Sequence, residues 1–166
     1  MLVKVLARTG HELEVEAFGI TTRSKDFRNF LANHSDSDWP LPVCLEHAKR
    51  NQKTGWNPVT PPTDLMFTLY YSVKKHLLYL TEGNPAVRML GLFVTVGQPA
   101  DYFWGVDCFF DLDGRVATID ITMRPDKPGH KAQFLFRRVD ITCRPSRRAL
   151  AERIARHLLA QSQPKS

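Results

Sequence analysis

Residues 64–80 carry apolar side chains at Leu65, Leu69, Val73, Leu77 and Leu80. Steps of four and three residues place these on one face of an α-helix. Thr63 stands where an N-cap belongs, and Gly83 follows where the chain must turn away. Beyond it the pattern changes. Segments 89–96, 102–112 and 115–123 are rich in β-branched and aromatic residues and read as strands. The last two are joined by Asp113-Gly114, a strong two-residue hairpin signal. A fourth strand is predicted over 132–142, after the turn-rich RPDKPGHK at 124–131. Ser146 is placed to cap a final helix over 147–161, with Leu150, Ile154 and Leu158 inward.

The N-terminal part is less regular. Leu13, Val15 and Ala17 alternate with Glu12, Glu14 and Glu16, so 11–18 reads as a strand paired with 1–8 across Thr9-Gly10. Ser24 could cap a short helix over 25–33, with Phe27, Phe30 and Leu31 on one side. Residues 34–62 hold five prolines and Gly55, and read as a long irregular cover weighted by Trp39, Leu41, Val43, Leu45 and Trp56. The whole pattern predicts one α+β domain over 1–166: a largely antiparallel β-meander of four or more strands flanked by helices. The hairpin at 1–20 and the segment at 34–62 would pack on a core at 63–163.

Composition is that of a globular chain, with 43% hydrophobic and 24% charged residues in 166. Three scattered cysteines, Cys44, Cys108 and Cys143, exclude a disulfide framework and fit a reducing compartment. The longest apolar stretch, 89–96, is far short of the roughly 20 residues of a membrane span. The expectation is a soluble cytoplasmic protein. The net charge of +6 conceals a split: residues 61–123 carry four basic and seven acidic groups, residues 124–166 eleven basic and three acidic.

The Asp-Gly hairpin has a chemical consequence. A two-residue turn pairs Leu112 with Arg115, and the same register sets Asp107 opposite Asp120, with Thr122 two residues on. Like charges directly opposed across a strand pair are destabilising. A divalent cation, a nearby Lys or Arg, or a raised pKa would compensate. A solvent-facing surface, or a bulge shifting the register, would dissolve the conflict instead. Two carboxylates on rigid strands can hold Mg²⁺, which activates water and stabilises a phosphoryl transition state.

Asp107 on one strand of a hairpin, with Asp120-Ile121-Thr122 on the next, resembles the motif of the PD-(D/E)XK nucleases. The order of a helix followed by three strands over 63–123 is also similar. The resemblance implies a metal-dependent nuclease acting on DNA or RNA, with Asp107 and Asp120 holding Mg²⁺. It implies an assisting Glu from the preceding helix, for which Glu82 is the candidate. Thr122 stands where that family has Lys, so Lys127, or else Lys131 or Arg124, would reach back to position the attacking water. The family also has a helical crossover between its third and fourth strands, and 124–131 is too short for one.

The basic end adds a second feature. Arg144, Arg147 and Arg148 surround the start of the last helix, where positive side chains oppose the macrodipole. An anion there would reverse that cost, so these residues, with Lys131, are candidates for phosphate or nucleic-acid binding. Two other functions fit the same features: a non-catalytic nucleic-acid or protein-binding module, and a helix-plus-curved-sheet domain enclosing a small ligand.

Overall fold

The computed structural model describes residues 7, 9–19, 29 and 32–162. It is an α+β fold built on one four-stranded sheet of order β1-β2-β3-β4: β1 Leu90–Val94, β2 Cys108–Leu112, β3 Arg115–Thr122 and β4 Phe134–Arg137. Asp113 and Gly114 have φ of 53° and 83°, as a type I′ turn requires, and Leu112 pairs with Arg115. β1 to β3 are antiparallel, so the sheet is largely antiparallel as expected. β4 departs from the meander, because it pairs parallel to β3 with Ile119 beside Phe134 and Thr122 beside Arg137. Residues 123–133 carry the chain back across the sheet without a helix.

Both faces of the sheet are covered. Leu92, Phe110, Ile119 and Phe136 pack under two long helices, α3 Asp64–Leu80 and α6 Arg144–Ala160. The α3 helix is the predicted one, capped by Thr63, whose hydroxyl accepts from Met66 N–H. A solvent-facing surface was one alternative for the other face. Instead Phe109 packs with Cys44, Leu45 and Ala48 of α2 Leu41–Arg50 and with Ala100 of α4 Pro99–Trp104. Among the described residues no helix is long and apolar enough to cross a membrane.

Five local expectations are corrected. Residues 11–18 are not a strand but part of α1 Gly10–Phe18. Thr9 caps it by accepting from Glu12 N–H at 3.1 Å, and Leu13, Ala17 and Phe18 are buried at helical spacing. The supposed loop at 34–62 contains α2, whose first turn tolerates Pro42 because the proline sits where no intrahelical N–H is needed. The strand expected from 102 begins only at Cys108, since Pro99 opens α4 and Gly105 closes it in the left-handed conformation. Strand 132–142 breaks at Arg137, and a short helix, α5 Arg138–Thr142, follows. Ser146 does not cap the last helix; α6 starts at Arg144, and Ser146 Oγ donates to Asp140 Oδ1 at 2.5 Å. Most of 1–8 and of the helix expected over 25–33 lies outside the described residues.

Candidate functional site

The regular β2–β3 ladder ends at Cys108 beside Ile119, one residue short of the expected Asp107–Asp120 opposition. Asp107 N–H donates to Ile119 O at 2.9 Å, so Asp107 and Cys108 both address Ile119. That two-against-one geometry is a β-bulge. It explains why Val106 packs with the α2–α4 cluster while Cys108 faces α3 and α6. The Asp107 carboxylate folds back and accepts from Ile121 N–H at 2.7 Å. Its two bonds therefore bracket Asp120.

Both carboxylates are buried, Asp107 to 6% and Asp120 to 3% exposure. A solvent-facing pair is thereby excluded. Asp120 has a cation: Lys127 Nζ lies 2.5 Å from its Oδ2. Lys127 comes from the 123–133 crossover, which runs over this end of the sheet. Among the described residues Asp107 has no lysine or arginine partner. Burial pushes its pKa well above the usual carboxylate range, the charge of Asp101 raises it further, and Asp120 and Glu14 add to the effect against the Ile121 N–H bond.

Of the predicted residues, Asp107, Asp120 and Lys127 come together. Glu82 does not join them. It sits exposed in the turn after α3, which leads through the 3-10 turn Pro85–Met89 into Leu90, the partner of Leu112. Asp107 precedes the opposite end of β2, about 17 Å away at ~3.4 Å per residue. The acid that a helix does bring to Asp107 is Glu14 of α1. The sequence reading missed it by assigning 11–18 to a strand, although Thr9 and Glu12 carried the helix-start signature. Lys131 is also elsewhere: its Nζ donates to Phe103 O at 3.1 Å and lies 5.4 Å from the Trp104 ring centre, closing α4. Thr122 Oγ1 accepts from Arg124 N–H at 3.2 Å and turns the chain out of β3.

Among the described residues no cluster of three or more His, Cys, Asp or Glu side chains is placed to hold a metal. Asp107 and Asp120 offer two hard oxygen donors and nothing more. This donor set fits Mg²⁺, which keeps several waters and binds through one or two carboxylates plus substrate phosphate.

Arg144, Arg147 and Arg148 form a separate site. They line a cleft of about 610 Å³ between α3 and α6, together with aromatic side chains of α3. Asp120 projects from β3 away from the face that α6 covers, since its neighbours Ile119 and Ile121 pack under that helix. The acidic pair and the arginine cluster thus do not converge on one centre, although Lys127 of the basic end reaches Asp120. Comparison of the chain with protein-family models, with curated proteins and with solved structures finds no match.

Proposed function

We propose that the protein is a metal-dependent nuclease acting on DNA or RNA, with its reacting centre at Asp107 and Asp120. The observation that carries this reading is the pairing itself. Two carboxylates from adjacent strands are buried near enough for one charge to bear on the other, and Lys127 pairs with Asp120 alone, leaving excess negative charge in a place where hydrophobic packing would be more stable. The sheet topology supports it, because three antiparallel strands followed by a parallel fourth is what a crossover after the third strand entails.

Asp107 and Asp120 would hold Mg²⁺, which supplies a bound water of lowered pKa and neutralises charge on the scissile phosphate. The bulge fixes Asp107 through Ile119 O and Ile121 N–H, so its carboxylate is held before any ligand arrives. Lys127 holds Asp120 in place through its ion pair, and its ammonium can donate to the attacking water. The attacking water would release a proton to solvent as its oxygen adds to phosphorus, the ester P–O bond would break, and the leaving oxygen would take up a proton from solvent. Glu14, close enough for its charge to bear on Asp107, is positioned to assist.

The test is cleavage of labelled single- and double-stranded oligonucleotides with Mg²⁺ or Mn²⁺. Asp120→Asn should lower the rate at least about 100-fold with an unchanged fold by circular dichroism, and Lys127→Met should also slow it. Binding without cleavage by the wild type under either ion would reject the nuclease in favour of a non-catalytic module.

A further inference from the structure

The cleft between α3 and α6 brings two kinds of surface together. Arg144, Arg147 and Arg148 come from the first turns of α6, with Lys75 and His76 across from them on α3. Phe67, Tyr71 and Tyr79 supply an aromatic wall. At about 610 Å³ the cleft falls in the range of small-ligand sites, roughly 300–1,000 Å³.

Arg147 is the informative residue. Only 6% of it is exposed, yet among the described residues no carboxylate pairs with it. Its Nη1 donates to Ile141 O at 2.7 Å, which orients the guanidinium without neutralising it. Burial lowers its pKa, and the neighbouring Arg144 lowers it further. Among the described residues the one acid lining the cleft, Glu152, is bound to Arg156 at 2.9 Å. A buried guanidinium without an anion is costly. It lies beneath the start of a 17-residue helix that has no side-chain cap, where the macrodipole is also positive. Both features ask for the same counter-ion.

The aromatic wall asks for something flat. Tyr71 is 58% exposed and stacks on Phe67 with ring centres 6.3 Å apart and planes at 17°. A stacked pair whose outer member stays open is a platform to which a base can add, worth about 1–3 kcal/mol per stacked base. A second copy of the chain fits poorly, since a self-complementary contact would set one cationic cluster against another.

We propose that this cleft binds a nucleotide, with Arg147, Arg144 and Arg148 holding its phosphate and Tyr71 stacking on its base. The ligand is a nucleoside 5′-phosphate, either free or as the phosphorylated end of a strand. The site is distinct from the acidic pair and needs no divalent cation.

Binding is measured by calorimetry on the full chain without divalent cation. The probes are AMP and GMP, adenosine, inorganic phosphate, and a tetranucleotide with or without a 5′-phosphate. AMP or GMP should bind at least about tenfold tighter than adenosine or phosphate alone. The tetranucleotide arm separates the sources. A 5′-phosphate requirement for strand binding identifies a strand end, whereas binding of AMP or GMP with no binding of either tetranucleotide identifies a free nucleotide. Tyr71→Ala should weaken AMP about tenfold and leave phosphate unchanged. Arg147→Met should weaken both; if it fails to fold, the exposed Arg148→Ala gives the same readout. Asp120→Asn should bind as wild type, so failure here leaves the nuclease reading standing, and loss of cleavage leaves this one standing. Absence of binding by AMP, GMP and the phosphorylated strand, or unchanged affinity in both Arg148→Ala and Tyr71→Ala, overturns the proposal.

Discussion

Asp107→Asn should make the metal-free protein more stable. The amide has nearly the shape of the carboxylate and keeps an oxygen to accept from Ile121 N–H, so packing and the bulge survive. What is lost is a buried negative charge facing Asp101, Asp120 and Glu14, with Lys127 committed to Asp120. Two unit charges ~5 Å apart at an effective dielectric of ~20 repel by about 3 kcal/mol. Lys127 cancels part of this, and a charged acceptor makes a stronger bond to Ile121 N–H than an amide does, by about 1 kcal/mol. The net expected gain is about 1–3 kcal/mol near neutral pH. The sign with pH is determined. Asp107 is raised in the folded state, so its ionisation penalty is absent below the unfolded value of about 4 and grows as pH rises through the folded one. Urea denaturation of wild type and variant at pH 7.5 and pH 5, followed by tryptophan fluorescence, reads the difference. The variant's advantage should be larger at pH 7.5 than at pH 5. A variant less stable than wild type at both pH values, or an advantage independent of pH, would refute the claim that Asp107 carries uncompensated charge.

Two further substitutions test the frame around the sites. Gly91→Ala would place a Cβ 2.7 Å from Phe93 Cε2, so a loss of about 1–3 kcal/mol is expected in the same denaturation assay. Asp140→Asn removes a buried carboxylate that accepts from Arg137 Nε at 3.0 Å and Ser146 Oγ at 2.5 Å, and should cost about 2 kcal/mol at pH 7. Burial raises that carboxyl, but the bonds from Arg137 and Ser146 outweigh it and hold the pKa below the usual value. Its contribution is therefore present above about pH 4 and lost as pH falls through the folded value, and the two melting curves should converge under acid.

What the sequence disclosed depended on how local the signal was. The hairpin at Asp113-Gly114 and the helix at Asp64–Leu80 rest on contacts a few residues apart, and both stand where the pattern put them. Lys127 reaches Asp120, seven positions earlier, because the chain bends back after Thr122, which the sequence allowed as one of three candidates. The failures arose where one pattern served two structures. The alternation of Glu12, Glu14 and Glu16 with apolar residues imitates a strand, yet Leu13 and Ala17 also stand one helical turn apart. That misreading removed Glu14 from consideration and sent the search for an assisting acid to Glu82. The prolines at 40 and 42 suggested a loop but open α2. The parallel placement of β4 left no trace, because the crossover is an irregular segment held by long-range bonds such as Gln133 N–H to Thr118 Oγ1 at 3.0 Å.

The charge split acquires its meaning from what each charge has for company. On the α2 side of the sheet Asp111 pairs with Lys49 at 2.6 Å and Asp120 with Lys127, while Asp101 accepts from Gly97 N–H at 2.7 Å. Asp107, set among these acids, has two backbone contacts and no cation among the described residues. Under the start of α6 the situation is inverted, with Arg147 held by a carbonyl and crowded by Arg144. The charges that bear on Asp107 are Asp101, Asp120 and Glu14, whereas the charge that bears on Arg147 is Arg144. Neither residue can serve as the other's counter-ion. A chain selected for stability alone would exchange each for an apolar residue of similar volume. Retaining both is consistent with the two proposed ligands of opposite sign, a cation at the end of β2 and an anion at the start of α6, which would bind independently because among the described residues no contact ties one charge to the other.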